Sequence, residues 1–204
     1  MRVVVPFDAV RPKTRLGDVL DAEERRAFAR SMLADVLATV REAGHEPTVL
    51  SNERVEVDAP LTVDERPLTP AVNGVLSASS GPVGIVMADL ALATPRAVRR
   101  LCGGPGDVVV APGRGGGTNA LVVRHSDFRV DYHGASYLDH LRIARDLGAT
   151  VREIDSARLG TDVDERADLA ELLVHGDGES RDWLVDAGFE LDVTDGRVGV
   201  ERTD

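Results

Sequence analysis

Short apolar, β-branched runs alternate with helix-period segments along almost the whole chain, and few folds accommodate that alternation. "RVVVP" (2–6) reads as a first strand. Asp21, with Glu24 three residues on, then resembles a capping box, and Phe28, Met32, Leu33, Val36, Leu37 and Val40 mark one helical face ahead of a stop at Gly44. "PTVLS" (47–51) and "APLTVD" (59–64) are strand-like, and residues 68–80 are helical with Pro70 near the first turn. "VGIVMAD" (83–89) and "DVVVAP" (107–112) read as strands on either side of a helix over 94–102. The loop 113–117, a strand at 118–123, a helix over 136–147 stopped by Gly148 and a strand at 150–155 follow. Helices at about 165–174 and 179–187 lead into a terminal hairpin with an Asp-Gly turn within 189–201. This spacing predicts an α/β fold, a doubly wound and mostly parallel sheet with right-handed crossovers, in one domain over 1–204. In such sheets ligands bind off the carboxyl ends of the strands.

Charge narrows the partners. The 204 residues carry 35 acidic and 24 basic side chains, a net charge of −11 spread along the chain, which argues against broad nucleic-acid binding. No apolar run reaches the length of a membrane span, and "MRVVVPFD" lacks a signal-peptide core, so a cytoplasmic protein with no membrane partner is expected. One cysteine, Cys102, excludes an internal disulfide framework and a thiolate metal cluster. Diffuse acidity, few large aromatics and near-absence of lysine resemble adaptation to high salt, where a Debye length of ~3 Å makes self-repulsion cheap.

Of the 24 basic residues only Lys13 is lysine. A GC-rich genome accounts for the arginines but not for this exception. Lysine is a compact point charge suited to a phosphate, and with Arg11 and Arg15 it forms a basic loop after the first strand. The segment lacks the Gly-Lys-Ser/Thr of a P-loop, which disfavours a P-loop ATPase or kinase. Asp89 follows a buried strand, where one or two carboxylates could hold Mg²⁺ against phosphates or where an aspartate simply caps a turn. Asp162 and Asp164 alternate, so an extended segment points both to one side, and Asp168 suits a cap or solvated position. "GRGGG" (113–117) exposes backbone amides for an anion or is a flexible loop, with Thr118 and Asn119 beside it. Gly134 and Ser136 precede a helix start that could hold a second anion, and His140 inside that helix reads as structural. No histidine spacing suggests a metal site, and no Gly-x-Ser-x-Gly or Cys/His arrangement suggests covalent catalysis.

The order of these pieces is specific: Pro-x-Lys-x-Arg-Leu, a strand ending in Ala-Asp-Leu, Gly-Gly-Thr-Asn, a Gly/Ser-x₃-His segment and Asp-x-Asp-x₃-Asp-Leu. Over nearly the full chain it resembles the 2-phospho-L-lactate guanylyltransferase family of coenzyme F420 biosynthesis. That resemblance implies the nucleotidyltransferase (nucleotide-diphospho-sugar transferase-like) fold and a halophilic archaeal source. It implies that GTP and (2S)-2-phospholactate give lactyl-2-diphospho-5'-guanosine and pyrophosphate with Mg²⁺. By motif position, Arg11, Lys13 and Arg15 bind the nucleotide triphosphate with Asn73, and Asp89, Asp162 and Asp164 hold metal. Lys13 and Asp89 are then the catalytic pair, and Thr118, Gly134 and Ser136 hold the phosphorylated acid. The same resemblance suggests a homodimer. Phosphoenolpyruvate, a sugar phosphate or molybdopterin as acceptor, and a non-catalytic nucleotide-binding relative, stay open at this point.

Overall fold

β1 (Arg2–Phe7) shows how the sheet is buried: Val3, Val5 and Phe7 face one apolar cluster and Val4 the other. A strand covered on both sides has no polar face to show, which is why these runs read as continuous rather than alternating. The computed structural model describes residues 1–193, 196 and 198–203. Its main sheet adds β2 (Glu46–Ser51), β3 (Leu61–Val63), β4 (Val83–Val86), β5 (Val108–Pro112), β6 (Thr118–Val123) and β7 (Val151–Glu153), in the order β3-β2-β1-β4-β6-β5-β7. The sheet is mostly parallel, as expected; β6 alone runs antiparallel to its neighbours β4 and β5.

α1 (Ala22–Glu42), α3 (Pro95–Gly103) and α6 (Arg166–His175) supply one cluster, and α2 (Leu68–Ala78) and α4 (Ser136–Asp146) the other. α1 begins at the expected capping box: the Asp21 carboxylate accepts the Glu23 and Glu24 N–H groups, and Glu24 accepts the Asp21 N–H. All six residues of its expected apolar face are buried, and Gly44, at φ 84°, lets the chain leave the helix. α7 (Glu179–Asp186) packs on α1 through Phe28 and Trp183, whose ring centroids lie 5.2 Å apart. A separate hairpin, β8 (Phe189–Asp192) with β9 (Gly199–Arg202), closes the chain; the Asp-Gly turn expected at its tip involves Asp195, outside the described residues. Cys102 is buried on α3, which pushes its thiol up to about 11, in keeping with a packing role.

Two elements differ from the sequence pattern. The strand expected over 83–89 ends at Val86, because apolar Met87 and Ala88 prolong the pattern while the backbone already turns, with Leu90 N–H donating to Met87 O. Asp89 therefore sits on a turn beyond the strand. The short helix α5 (Ala157–Gly160), of four residues, has no readable period. Among the described residues no helix is long and apolar enough to cross a membrane.

Candidate active site

At the carboxyl end of β1 the chain is turned by Asp8, whose carboxylate accepts the Val10 and Arg11 N–H groups at 3.0 and 3.2 Å. Asn52, just past β2, locks this turn by donating to Asp8 at 2.7 Å and accepting the Ala9 N–H at 2.9 Å. The turn delivers Lys13 in the left-handed region, φ 53° and ψ 42°, the one non-glycine with positive φ among the described residues. That conformation costs on the order of 1 kcal/mol for an L residue and is found where the surroundings require it. Here they do. The Lys13 side chain is only 8% exposed, and its ammonium lies 2.8 Å from Asp89 Oδ2 and 3.4 Å from Asp164 Oδ1. Burial alone pushes the ammonium pKa down, but the Asp89 and Asp164 charges and hydrogen bonds outweigh it and raise the value, so Lys13 is firmly charged.

Asp89 and the Asp162–Asp164 segment come together through the backbone: Val163 N–H donates to Asp89 O at 3.1 Å while the Val163 side chain is buried. The two alternating aspartates nevertheless have different neighbours. Asp164 accepts from Lys13 and forms an ion pair with Arg15 at 2.8 Å. Asp162 accepts one hydrogen bond, at Oδ1, from Asn119 Nδ2 at 3.2 Å. Among the described residues, Asp89 Oδ1 is buried with no hydrogen-bond partner. Asp168 caps α6, as its position suggested, accepting the Asp164 and Glu165 N–H groups.

A cavity of about 660 Å³ opens at the carboxyl ends of β1, β2 and β4, with Arg11, Lys13, Arg15, Asn52, Asp89 and Asp164 on its wall, whereas Asp162 and Asp168 are not among its lining residues. Among the described residues the Arg11 guanidinium has no ion-pair partner, so the cavity offers an uncommitted cation beside a committed one. Asn73 is elsewhere. Its amide donates to Val130 O at 2.9 Å and accepts Val130 N–H at 2.8 Å, tying α2 to the segment before α4, and it does not line the cavity.

Thr118 and Ser136 meet at a second centre. β6 enters the sheet antiparallel, so its first residue stands at the edge where β4 ends, and Met87 N–H donates to Asn119 O at 3.0 Å. Thr118 N–H donates to Ser136 Oγ at 2.9 Å, and Thr118 Oγ1 lies 2.8 Å from His140 Nδ1. Gly134, at φ 49°, occupies the exposed turn ahead of α4. His140 is buried, which pushes its pKa down to about 4 against smaller opposing effects of Asp131 and Asp139. The sequence reads His140 as a structural residue within this helix, but its partnership with Thr118, 22 residues earlier, left no local signal.

The architecture matches proteins of known structure. A Desulfovibrio desulfuricans protein described as a nucleotide-diphospho-sugar transferase shares it at TM-score 0.72 and 14% identity, over 91% of this chain and 94% of that one. A nucleotidyl transferase from Methanothermobacter thermautotroptrophicus does so at TM-score 0.60 and 15% identity, over 85% and 95%. The fold is thus that of the nucleotidyltransferase-like α/β proteins. Sequence comparison is narrower: residues 1–202 match the model of the family described as "Guanylyl transferase CofC like". A protein of Halomicrobium mukohataei named 2-phospho-L-lactate guanylyltransferase is 66% identical over 202 residues, 99% of this chain and the whole of that one. The chain belongs to the CofC-like guanylyl transferase family.

Proposed function

We propose that this chain, acting as one domain, is a guanylyltransferase that condenses GTP with (2S)-2-phospholactate to give lactyl-2-diphospho-5'-guanosine and pyrophosphate. The observation that carries this reading is Lys13, held in a strained backbone at the cavity wall between Asp89 and Asp164. The name borne by a 66% identical relative supports the choice of substrates. The acceptor's phosphate oxygen attacks the α-phosphorus of GTP in line with the departing pyrophosphate. A phosphate whose second pKa is about 6 is already anionic at neutral pH, so no general base is required. Catalysis then rests on positioning and charge neutralisation. Arg11, Lys13 and Arg15 face the triphosphate, and Thr118, Ser136 and the Gly134 turn hold the phosphorylated acid.

A divalent ion fits the residues present. Among the described residues no three His, Cys, Asp or Glu side chains form a self-sufficient metal cluster. Mg²⁺ on a nucleotide needs only one or two carboxylates, with phosphate oxygens and water completing its shell. The buried, unpartnered Oδ1 of Asp89 and the less committed carboxylate of Asp162 suit that part. Asp164 is better described as the counter-charge of Lys13 and Arg15. When bound, the ion would neutralise charge on the polyphosphate.

Pyrophosphate release is the test, measured with GTP, ATP and CTP against 2-phospholactate, phosphoenolpyruvate and a sugar phosphate, in high potassium chloride with Mg²⁺. Turnover with GTP and 2-phospholactate above all other pairs is expected. A preference for another nucleotide or acceptor would overturn the substrate assignment, and nucleotide binding without turnover would overturn the enzyme. A homodimer, by sedimentation, and a cytoplasmic location belong to the same proposal.

A further inference from the structure

We propose that His140 is a positioning residue that fixes the Thr118 hydroxyl as a hydrogen-bond donor toward an anionic oxygen of the acceptor. This rests on the assignment of Thr118 and Ser136 to the phosphorylated acid. Asp131 N–H donates to His140 Nε2 at 2.9 Å, and a backbone amide can only donate. Nε2 is therefore bare, and the single proton of the neutral ring sits on Nδ1. Nδ1 faces Thr118 Oγ1 at 2.8 Å, so the ring donates and the hydroxyl oxygen accepts. The hydroxyl proton must then point away from the ring, and among the described residues nothing accepts it. Ser136 repeats the pattern: its Oγ accepts the Thr118 N–H at 2.9 Å, and its own proton has no acceptor among the described residues.

Both hydroxyls belong to residues only 4% exposed. A buried donor without an acceptor is costly, so two side by side are a poor structural motif and a good receptor for a group that only accepts. Deprotonated phosphate and carboxylate are such groups. The loops ahead of β6 and α4 beside this pair are open: a Cβ placed on Gly115, Gly116 or Gly134 would meet nothing within 4 Å. The imidazole itself is packed by Tyr132, edge-on at 5.2 Å between centroids, and by Phe128 at 6.0 Å, which hold its orientation. With the polarity set from behind, the pair favours a charged oxygen over a hydroxyl hydrogen at the same place.

Two substitutions separate this role from mere structural support. His140→Asn places an amide N–H near Nδ1, keeping the donor to Thr118 and abandoning Asp131. His140→Gln reaches the Nε2 position, keeping Asp131 satisfied and abandoning Thr118. In steady-state kinetics with GTP and 2-phospholactate, His140→Gln should raise the acceptor KM about tenfold, the scale of one hydrogen bond to a charged group. The GTP KM should move by less than about threefold, the effect of a contact remote from the nucleotide, and His140→Asn should restore much of the acceptor KM. The reverse ranking, or equal changes in both KM values, overturns the proposal. In a Thr118→Val background, His140→Gln should add nothing further to the acceptor KM, and an additive effect counts against it. Nitrogen-15 NMR of the wild-type imidazole reads the tautomer without any variant: a proton on Nδ1 is expected, and one on Nε2 overturns the inference even if a variant fails to fold. Wild-type enzyme inactive on every phosphorylated acid would instead overturn the proposed function, whatever the tautomer.

Discussion

Replacing Lys13 by methionine removes the ammonium, keeps most of the stem and leaves the left-handed backbone to another L residue, so the change is almost purely electrostatic. In the wild type each of the two carboxylate contacts, at 2.8 and 3.4 Å, has a gross attraction of ~5 kcal/mol at an effective dielectric near 20. Desolvation of the lysine offsets much of this. Truncation does not return the cost of holding Asp89 and Asp164 together, and breaking a buried pair costs ~3–5 kcal/mol. The two carboxylates keep 30% and 28% exposure and can take up some water, so the lower end, ~3 kcal/mol, applies. For a chain of this length the melting temperature should fall by about 6–12 °C. Thermal denaturation followed by circular dichroism, in high potassium chloride without divalent ions, measures it. Screening does little to a pair this buried, so salt does not mask the effect. Adding Mg²⁺ should then raise the Tm of the variant more than that of the wild type, because an ion can take up the charge left behind. A variant that melts within about 2 °C of wild type in the absence of divalent ions would refute the reasoning, since even the low-end loss predicts more.

Lys13→Arg keeps the charge but brings a planar fork to an almost fully enclosed site, and should recover only part of the GTP kcat/KM lost in Lys13→Ala; full recovery would show that any cation serves. Asp89→Asn should lower turnover at saturating Mg²⁺ on the order of 10²-fold with the fold intact by circular dichroism, and near wild-type turnover would remove Asp89 from the metal site. His140, with its pKa lowered to about 4 from a usual 6.5, stabilises the fold fully above pH 6.5 and loses this as pH falls toward 4. Chemical denaturation should therefore show on the order of 3 kcal/mol less acid sensitivity over that window in His140→Asn than in wild type, and equal sensitivity would contradict the buried neutral ring. With a net charge of −11, the protein should lose structure on dialysis below roughly molar salt, and an unchanged cooperative transition in dilute buffer would show that its acidity is no adaptation to brine.

The layered architecture was legible in the sequence because its signals are local. The Asp21–Glu24 box, the glycine stop at Gly44 and the buried face of α1 each need only neighbouring residues. What failed to show was set by distance along the chain. Met87 and Ala88 look like strand because they are apolar, whereas the end of β4 is decided by the turn toward Asp89. Lys13 stood out by composition alone, but its inverted backbone depends on carboxylates 76 and 151 residues away. The same limit applies to Asn73, whose amide is taken up by Val130, 57 residues on, and to His140, which reads as structural with no local sign of its partner Thr118.

β6 runs against its neighbours, and this has a consequence for how such enzymes diversify. Were every strand parallel, each loop at the working edge would leave a strand and enter a crossover helix, tying its shape to the packing of that helix. The reversed strand instead makes the loop at that edge the turn of a hairpin with β5, a glycine loop in which a Cβ on Gly115 or Gly116 would meet nothing within 4 Å. The tip of this loop, at Gly115 and Gly116, can therefore change without moving the β1 turn that carries Lys13. On the proposed assignment of the site, a catalytic half built on crossovers and a recognition half hung on a hairpin would give one scaffold two independent rates of change: the phosphates met the same way while the molecule that receives the nucleotide varies.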